Sequence, residues 1–400
     1  MSNEASQRLL EGLKENQPAR QAIQQMRGVG NMPKKLAGVI GVGAGGGNVA
    51  HLLTEYDYYT IALNTTEADM KALNVLGKFA ITGINGSGQD RNFSATQFKQ
   101  YYKSFFEDEK TQELVAHDLI YVVGTGGGGT GTIVSVMVTN FLKREFPNKT
   151  IIAVGLLGSL KEPRQSQENM RDFLSDLETK TAGAPYMLFD NNRVRGKVGD
   201  DVYEAVNHDA VNAIRLLTKE YFVENTRSNI DGRDYARLTS FSGLLSVVTI
   251  DRLNITVAEE TVDLVPRVKA AIDNSTAVFT KDPSAYGIFM STHNDVYRQI
   301  DTTFNDIQDT IGRPSEGLVF KHLQQRSDSI KQGPEFGIIV TGTAAPVERF
   351  KQIETRIAEE SSQKEKDRLP EIKRNNEKLT FAGDGSSNQR GSGDTFLEEF

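Results

Sequence analysis

Two glycine clusters carry most of the chemistry this sequence could do. Gly41-Val42-Gly43-Ala44-Gly45-Gly46-Gly47-Asn48 follows an apolar run and opens a helical pattern, and Gly124-Thr125-Gly126-Gly127-Gly128-Gly129-Thr130-Gly131-Thr132 does the same. Backbone N–H groups at such turns can converge on an anion, and a helix N-terminus adds partial positive charge. An ordinary turn uses one or two glycines, and each further one costs about 0.5–1 kcal/mol in chain entropy. The second cluster therefore reads as backbone that a ligand must touch. Gly41, Gly43 and Gly46 alone also satisfy G-x-G-x-x-G, so a nicotinamide-dependent oxidoreductase has to be weighed. That reading needs an acid at the end of the next strand. The next strand ends in Leu63-Asn64-Thr65, without one. There is no Walker-type G-x-x-x-x-G-K-[ST] run. Two glycine turns in one sheet suit an extended polyphosphate.

The elements that must position these turns alternate along the chain. Apolar runs at Leu36–Val42, Thr60–Leu63, Leu119–Val123, Thr150–Leu157 and Tyr186–Phe189 read as strands buried on both faces. Helical patterns lie between them, at Ala95–Phe106 and Ile133–Phe146. The fold class is α/β, a doubly wound parallel sheet over residues 34–200. A long helix follows, from Asp201 to about Val223 and within the segment 201–228. Val206, Ala210, Ile214, Leu217 and Tyr221 make its apolar stripe. It leads to a smaller α+β domain with a mixed sheet, 229–345, with strands at Leu244–Ile250, Thr276–Phe279, Tyr286–Ser291 and Phe336–Thr341. A charged helix, Val347–Arg368 within 346–382, is expected to be interrupted by Pro370. Residues 1–33 read as a polar helical extension, and 383–400 as a disordered tail.

Composition narrows the function. The 400 residues carry a net charge of −7, which argues against direct nucleic-acid binding through a basic surface. There is no cysteine, so thiolate metal sites, disulfides and cysteine nucleophiles are excluded. The five histidines show no metal-ligand spacing, and no protein metal site is expected. No apolar stretch is long enough to span a membrane, and residues 1–27 lack the apolar core of a secretory signal. The cytoplasm is the expected compartment.

With these residues in view the chain resembles the tubulin/FtsZ family. Gly41–Asn48 is similar to the family's first phosphate loop. Gly127-Gly128-Gly129-Thr130-Gly131-Thr132 is similar to its G-G-G-T-G-[ST] signature, with Gly126 as an additional glycine and Ile133 where a further glycine is usual. Ala62-Leu63-Asn64-Thr65 resembles its A-V-N-T-D, with Thr66 in place of the acid. Gly83–Asp90 occupies the position of its γ-phosphate loop. The resemblance covers about residues 36–345 and implies GTP/GDP with Mg²⁺. The implied nucleotide-binding residues of these loops are Gly43, Ala44, Gly45, Gly46, Asn48, Asn64, Thr65, Gly126, Gly127, Gly128, Gly129, Thr130, Gly131 and Thr132. Glu162 and Glu168 are both candidates for the ribose. Asn191 sits where the family reads guanine. Tyr203 and Asn207, one helical turn apart on one face, offer a stacking ring and an amide with donor and acceptor.

Asn229-Ile230-Asp231-Gly232-Arg233-Asp234 resembles the family's N-x-D-x-x-D loop, which implies catalytic roles for Asn229, Asp231 and Asp234. By itself that run is also ordinary turn chemistry. From Asn207 to Asp231 is 24 residues of mostly helical pattern, roughly 30–35 Å. The acids cannot serve a nucleotide bound at the start of their own helix, but they can serve one held by the next subunit in a head-to-tail stack. Either Asp231 or Asp234 could position the water. The expected protein is a self-polymerising GTPase, whose heterologous contacts build an open filament. The nearest likeness is to TubZ-type plasmid and phage segregation filaments, which implies a DNA-binding adaptor as partner. An FtsZ-like division ring protein is the alternative, and a nicotinamide oxidoreductase a distant one. The acid-aromatic run Asp394–Phe400 is a candidate docking peptide.

Overall fold

The computed structural model describes residues 36–81, 86–194, 199–218, 230–250, 265–280, 282–292, 308, 310–325 and 336–375. The first half is a run of strand–helix units: β1 (Gly38–Val42), α1 (Gly43–Thr54), β2 (Tyr59–Asn64), α2 (Glu67–Met70) and β3 (Gly77–Ala80). It continues with α3 (Arg91–Glu107), α4 (Glu109–Val115), β4 (Leu119–Thr125), α5 (Gly129–Glu145), β5 (Thr150–Leu157), α6 (Arg164–Thr179) and β6 (Pro185–Asp190). A 3₁₀ turn, Asn191–Arg193, leads to the central helix α7 (Asp200–Leu217). The second half holds α8 (Gly232–Leu238), β7 (Gly243–Ile250), α9 (Val265–Asn274), β8 (Ala285–Thr292), β9 (Leu318–Gln325), β10 (Phe336–Thr343) and α10 (Val347–Asn375).

The ten strands among the described residues form one sheet in the order β3-β2-β1-β4-β5-β6-β7-β10-β8-β9. Pairing is parallel from β3 through β7, antiparallel on both sides of β10, and parallel again between β8 and β9. The fold is therefore a mixed, mostly parallel α/β sheet. The segments on either side of residue 229 share this sheet: β6 and β7 pair in parallel at Pro185–Gly243 and Tyr186–Leu244, and polarity changes only at β10. Beneath that junction a single apolar cluster runs from Val49 and Tyr121 through Ala210 and Ile214 of α7 to Leu245, Phe289 and Ile339. The central helix is the shared core of both halves.

Several sequence expectations change. β3 and β9 were not anticipated. Thr276–Phe279 is not a strand of the sheet but meets β6 through one antiparallel bridge, Phe189 to Ala277. The C-terminal helix runs through Pro370 to Asn375. Proline removes one i→i−4 bond and favours a kink, which need not end a long helix. The extension 1–33, the tail 383–400 and the part of the central helix beyond Thr218 lie outside the described residues.

Candidate nucleotide site

The order β3-β2-β1-β4-β5-β6 places the topological switch point between β1 and β4, and ligands of open α/β sheets bind outside the strands' carboxyl ends at that point. Both glycine turns leave the sheet there. β1 and β4 pair side by side, Gly41 beside Val123. β1 passes directly into α1 at Gly43, and β4 enters α5 at Gly129 after the turn Gly126–Gly128. Neither helix has a side-chain cap or an acid in its first turn. By contrast, α3, α4 and α8 are capped by Asp90, Asp108 and Asp231. Two neighbouring uncapped helix starts leave orphan N–H groups and two positive dipole ends together, which favours a polyanion.

The glycines have a second reason that sequence reasoning did not supply. A Cβ on Gly41 would stand 2.3 Å from Gly46 O, and one on Gly46 would stand 2.3 Å from Val123 O. Gly41 is thus a strand residue that lets α1 close onto β1, and Gly46 lets it close onto β4. In the second cluster a Cβ on Gly124 would meet Gly131 O at 2.4 Å, on Gly126 Met170 at 2.9 Å, and on Gly127 Glu162 Oε2 at 2.7 Å. On Gly129 it would meet Ser87 Oγ at 2.6 Å, and on Gly131 Thr125 Oγ1 at 2.6 Å. Only Gly128 of that cluster has nothing within 4 Å. Ligand contact is not the only reason for the six glycines: the protein's own packing requires Gly124, Gly126, Gly129 and Gly131, Gly127 meets only the movable end of Glu162, and Gly128 opens outward. The two turns also touch, since a Cβ on Gly43 would lie 3.1 Å from Gly131 N.

Hydroxyls and amides lock the turns together. Thr65 Oγ1 and Thr130 Oγ1 are 2.8 Å apart and both residues are buried. Asn64 is also buried; its Oδ1 accepts from Thr65 N at 2.8 Å and its Nδ2 donates to Asp69 Oδ2 at 3.1 Å. Thr132 Oγ1 donates to the carbonyls of Gly128 and Gly129. Asn64, Thr65, Thr130 and Thr132 therefore shape the turns from within, whereas Ala44 and Asn48 share the exposed side of α1. Of the expected γ-phosphate loop Gly83–Asp90, residues 86–90 are described. Gly86 N donates to Thr65 O at 3.2 Å, and Ser87 and Asp90 lie against Gly129. Ile133 joins the core beside Val134 and Met137.

Asn169 is a residue that sequence reasoning missed. Buried on α6, its Nδ2 lies within hydrogen-bonding distance of Gln89 O at 2.9 Å, Gly127 O at 3.2 Å and Gly128 O at 3.4 Å. It ties the 86–90 loop to the open end of the second glycine turn. Nothing in sequence marks it, because its partners are backbone carbonyls. The two ribose candidates also separate. Glu162 lies against Gly127, and its Oε1 accepts from Ser159 N at 3.0 Å. Glu168 is engaged by Arg164 at 2.8 Å along α6.

The remaining side of the site comes from β6 and α7. β6 runs parallel to β5 and β4, so Asp190 and the 3₁₀ turn with Asn191 emerge on the same edge as the glycine turns. That turn contacts α7. Tyr203, in the first turns of α7, is 53% exposed, unusual for a large aromatic in a folded core helix and suited to stacking. Asn207 follows one turn later on the same face.

The acids lie at the other end of α7. Tyr121, near the entry of β4, donates to Ile214 O at 3.4 Å and bonds Thr218 Oγ1 at 3.1 Å, so the helix ends at the opposite edge of the sheet. Tyr235 of α8 donates to Leu217 O, which fixes α8 there as well. Asn207 to Leu217 already spans about 15 Å of helix. Asp231 caps α8, its Oδ1 accepting from Arg233 N and Asp234 N at 2.8 Å each. The Asp234 carboxylate makes no hydrogen bond or ion pair to a described residue. Asn229 lies outside the described residues.

No protein-family model matches the chain. It is 28% identical over 192 residues to the tubulin-like protein CetZ of Thermococcus kodakarensis, covering 45% of this chain and 49% of that protein. With the tubulin-like protein TubZ of Clostridium botulinum C phage it shares 26% over 158 residues, 38% of this chain and 44% of the relative. The chain thus spans about half the length of the curated relatives it matches. Among solved structures, a GTPγS-form protofilament of TubZ from Bacillus thuringiensis serovar israelensis superposes with a TM-score of 0.67 at 17% identity, over 85% of this chain and 93% of that one. The chain thus shares the fold of the tubulin-like TubZ and CetZ structures, and about half of it is similar in sequence to TubZ and CetZ proteins.

Proposed function

We propose that the chain binds GTP, stacks head to tail into filaments, and hydrolyses GTP where two subunits meet. One observation carries this: the glycine turns, Asn191, Tyr203 and Asn207 share one edge of the sheet, while Asp231 and Asp234 sit at the far end of the helix that begins at that edge. A single subunit keeps the two halves of such a site apart, and a translated copy brings them together. The neighbouring TubZ structure, itself a protofilament in a GTPγS form, supports the arrangement.

In this reading residues 34–200 bind the nucleotide and 229–345 supply the activating acids to the next subunit. Gly43, Gly45, Gly46 and Gly126–Gly131 seat the phosphates, and Glu162, now set beside Gly127, is favoured over Glu168 for the ribose. Asn191 and Asn207 read the base and Tyr203 stacks on it. Among the described residues no three acidic or histidine side chains converge. Mg²⁺ would therefore be held chiefly by phosphate oxygens and water, as suits a hard ion that dehydrates reluctantly. No described helix is long and apolar enough to cross a membrane. DNA segregation through an adaptor rests on the likeness to TubZ of a phage, and the CetZ relatives do not add to it.

Two results test the reading. GTP should outcompete ATP by about tenfold or more, because the Asn191 and Asn207 amides would be left unpaired against the wrong base edge; equal competition removes the base assignment. Turnover per subunit should rise with protein concentration through the assembly range. A value that stays constant from dilute monomer to filament rules out a shared site.

A further inference from the structure

The C-terminal helix reaches the nucleotide edge through one buried side chain. Arg349, in the first turn of α10, is 6% exposed. Its Nε lies 2.8 Å from Asp190 Oδ2, and its Nη2 donates to Asp190 Oδ1 at 3.2 Å and to Gly158 O at 2.8 Å. Asp190 is the last residue of β6, and Gly158 follows directly on β5. One guanidinium therefore clamps together the exits of two adjacent strands.

What those exits carry gives the clamp its meaning. Asp190 Oδ1 also accepts from Asn192 N at 2.9 Å, which shapes the 3₁₀ turn that presents Asn191. Asn192 Oδ1 accepts from Leu160 N at 3.2 Å, linking that turn to the loop after Gly158. Ser159 N in turn holds Glu162, which lies against Gly127. A continuous polar chain thus runs from α10 through Asp190 and Asn192 to the ribose loop and the second glycine turn. A buried ion pair is a costly way to hold a helix in place. Burial pushes the Asp190 carboxyl above its ordinary value against the pull of Arg349, and lowers the guanidinium. Apolar contacts of Ile353 and Ile357 already dock α10, so anchoring alone does not require the pair. A planar fork that fixes two loops at once does.

We propose that Arg349 is a positioning residue for guanine recognition, holding the Asp190–Asn192 turn and the Gly158–Glu162 loop in register, so that the C-terminal helix sets base selectivity. The inference rests on the functional reading above. A helix anchor would affect all nucleotides alike; a positioning residue for the base side costs GTP more than ATP, because the Asp190–Asn192 turn meets the base, whereas the ribose loop and glycine turns serve both nucleotides.

The test measures GTP and ATP affinities of the full-length parent, Arg349→Lys, Arg349→Met and the double variant Arg349→Met/Asp190→Leu by competition against a fluorescent nucleotide. Arg349→Met leaves Asp190 buried without its partner and can unfold; the double variant removes both charges and keeps an apolar contact. The expected result is a fall of about tenfold in the GTP-to-ATP affinity ratio for the double variant and for any folded single variant, with a smaller loss of ATP affinity through the shared ribose loop. Arg349→Lys, which keeps the charge without the fork, should fall between. A parental ratio in the double variant overturns the positioning role alone, as does an equal loss for both nucleotides. A parent that does not prefer GTP overturns the base assignment and this inference with it.

Discussion

Asp234→Ala is expected to bind GTP as tightly as the parent and to turn it over about 10²- to 10⁴-fold more slowly, the range for removal of a group that positions or deprotonates a nucleophile. Its filaments should outlast the parent's, because GTP at the junction is no longer consumed. Binding should survive because α7 separates Asp234 from Tyr203 and Asn207 of its own subunit. Asp231 requires a different substitution. It caps α8 through two backbone N–H groups, and alanine there would forfeit about 0.5–2 kcal/mol of cap. Asp231→Ser retains a capping oxygen, so a loss of turnover in that variant reports on chemistry and not on a frayed helix. Mixing Asp234→Ala with Gly128→Val should partly restore activity, since each donates its intact half. Parental turnover in both acid variants would remove the proposed catalytic roles.

The parts of this site that were legible in sequence are those written in local backbone geometry. The glycine turns at Gly41–Asn48 and Gly124–Thr132 declare themselves because a strand must turn into a helix with no room for side chains. Their position on one edge followed from the parallel alternation of β1 through β6. The reason for the individual glycines was not legible: that Gly46 faces Val123 O, or Gly126 faces Met170, is a tertiary fact. The same holds for Asn169 and Arg349, whose acceptors are carbonyls of Gly127, Gly128 and Gly158 on other elements. Short or edge strands also escaped notice. β3 is only Gly-Lys-Phe-Ala, and β9 at the sheet's edge carries Lys321, His322, Gln324 and Gln325. Neither has the apolar run that marks a strand covered on both faces. Thr276–Phe279 erred in the opposite direction. Its apolar content serves the core at Ala277 and Val278, while its pairing with β6 amounts to a single bridge.

The packing of the glycine turns makes it possible to separate folding from ligand binding within one motif. Gly128 is the N-cap of α5 at φ −87° and ψ 170°, extended backbone that a β-branched residue adopts readily, and a Cβ there meets nothing within 4 Å. Gly128→Val should therefore fold with a parental Tm in the absence of nucleotide. If the open side of Gly128 is where the phosphates sit, the added methyl groups occupy that space and displace the orphan N–H groups from their anion. GTP affinity should fall by about 100-fold, about 2.7 kcal/mol. Gly46→Ala is the converse. Its Cβ would stand 2.3 Å from Val123 O, a backbone atom of a central strand that has no freedom to withdraw. Overpacking of this kind costs about 1–3 kcal/mol, so Tm should drop even without ligand, measured by scanning calorimetry on the same preparations. Nucleotide affinity in Gly46→Ala should fall only as far as the displaced α1 carries its N–H groups out of line. A Gly128→Val variant with undiminished GTP binding would move the phosphate seat elsewhere on the edge. An unchanged Tm in Gly46→Ala would mean that α1 and β4 are not as closely packed as their backbones indicate.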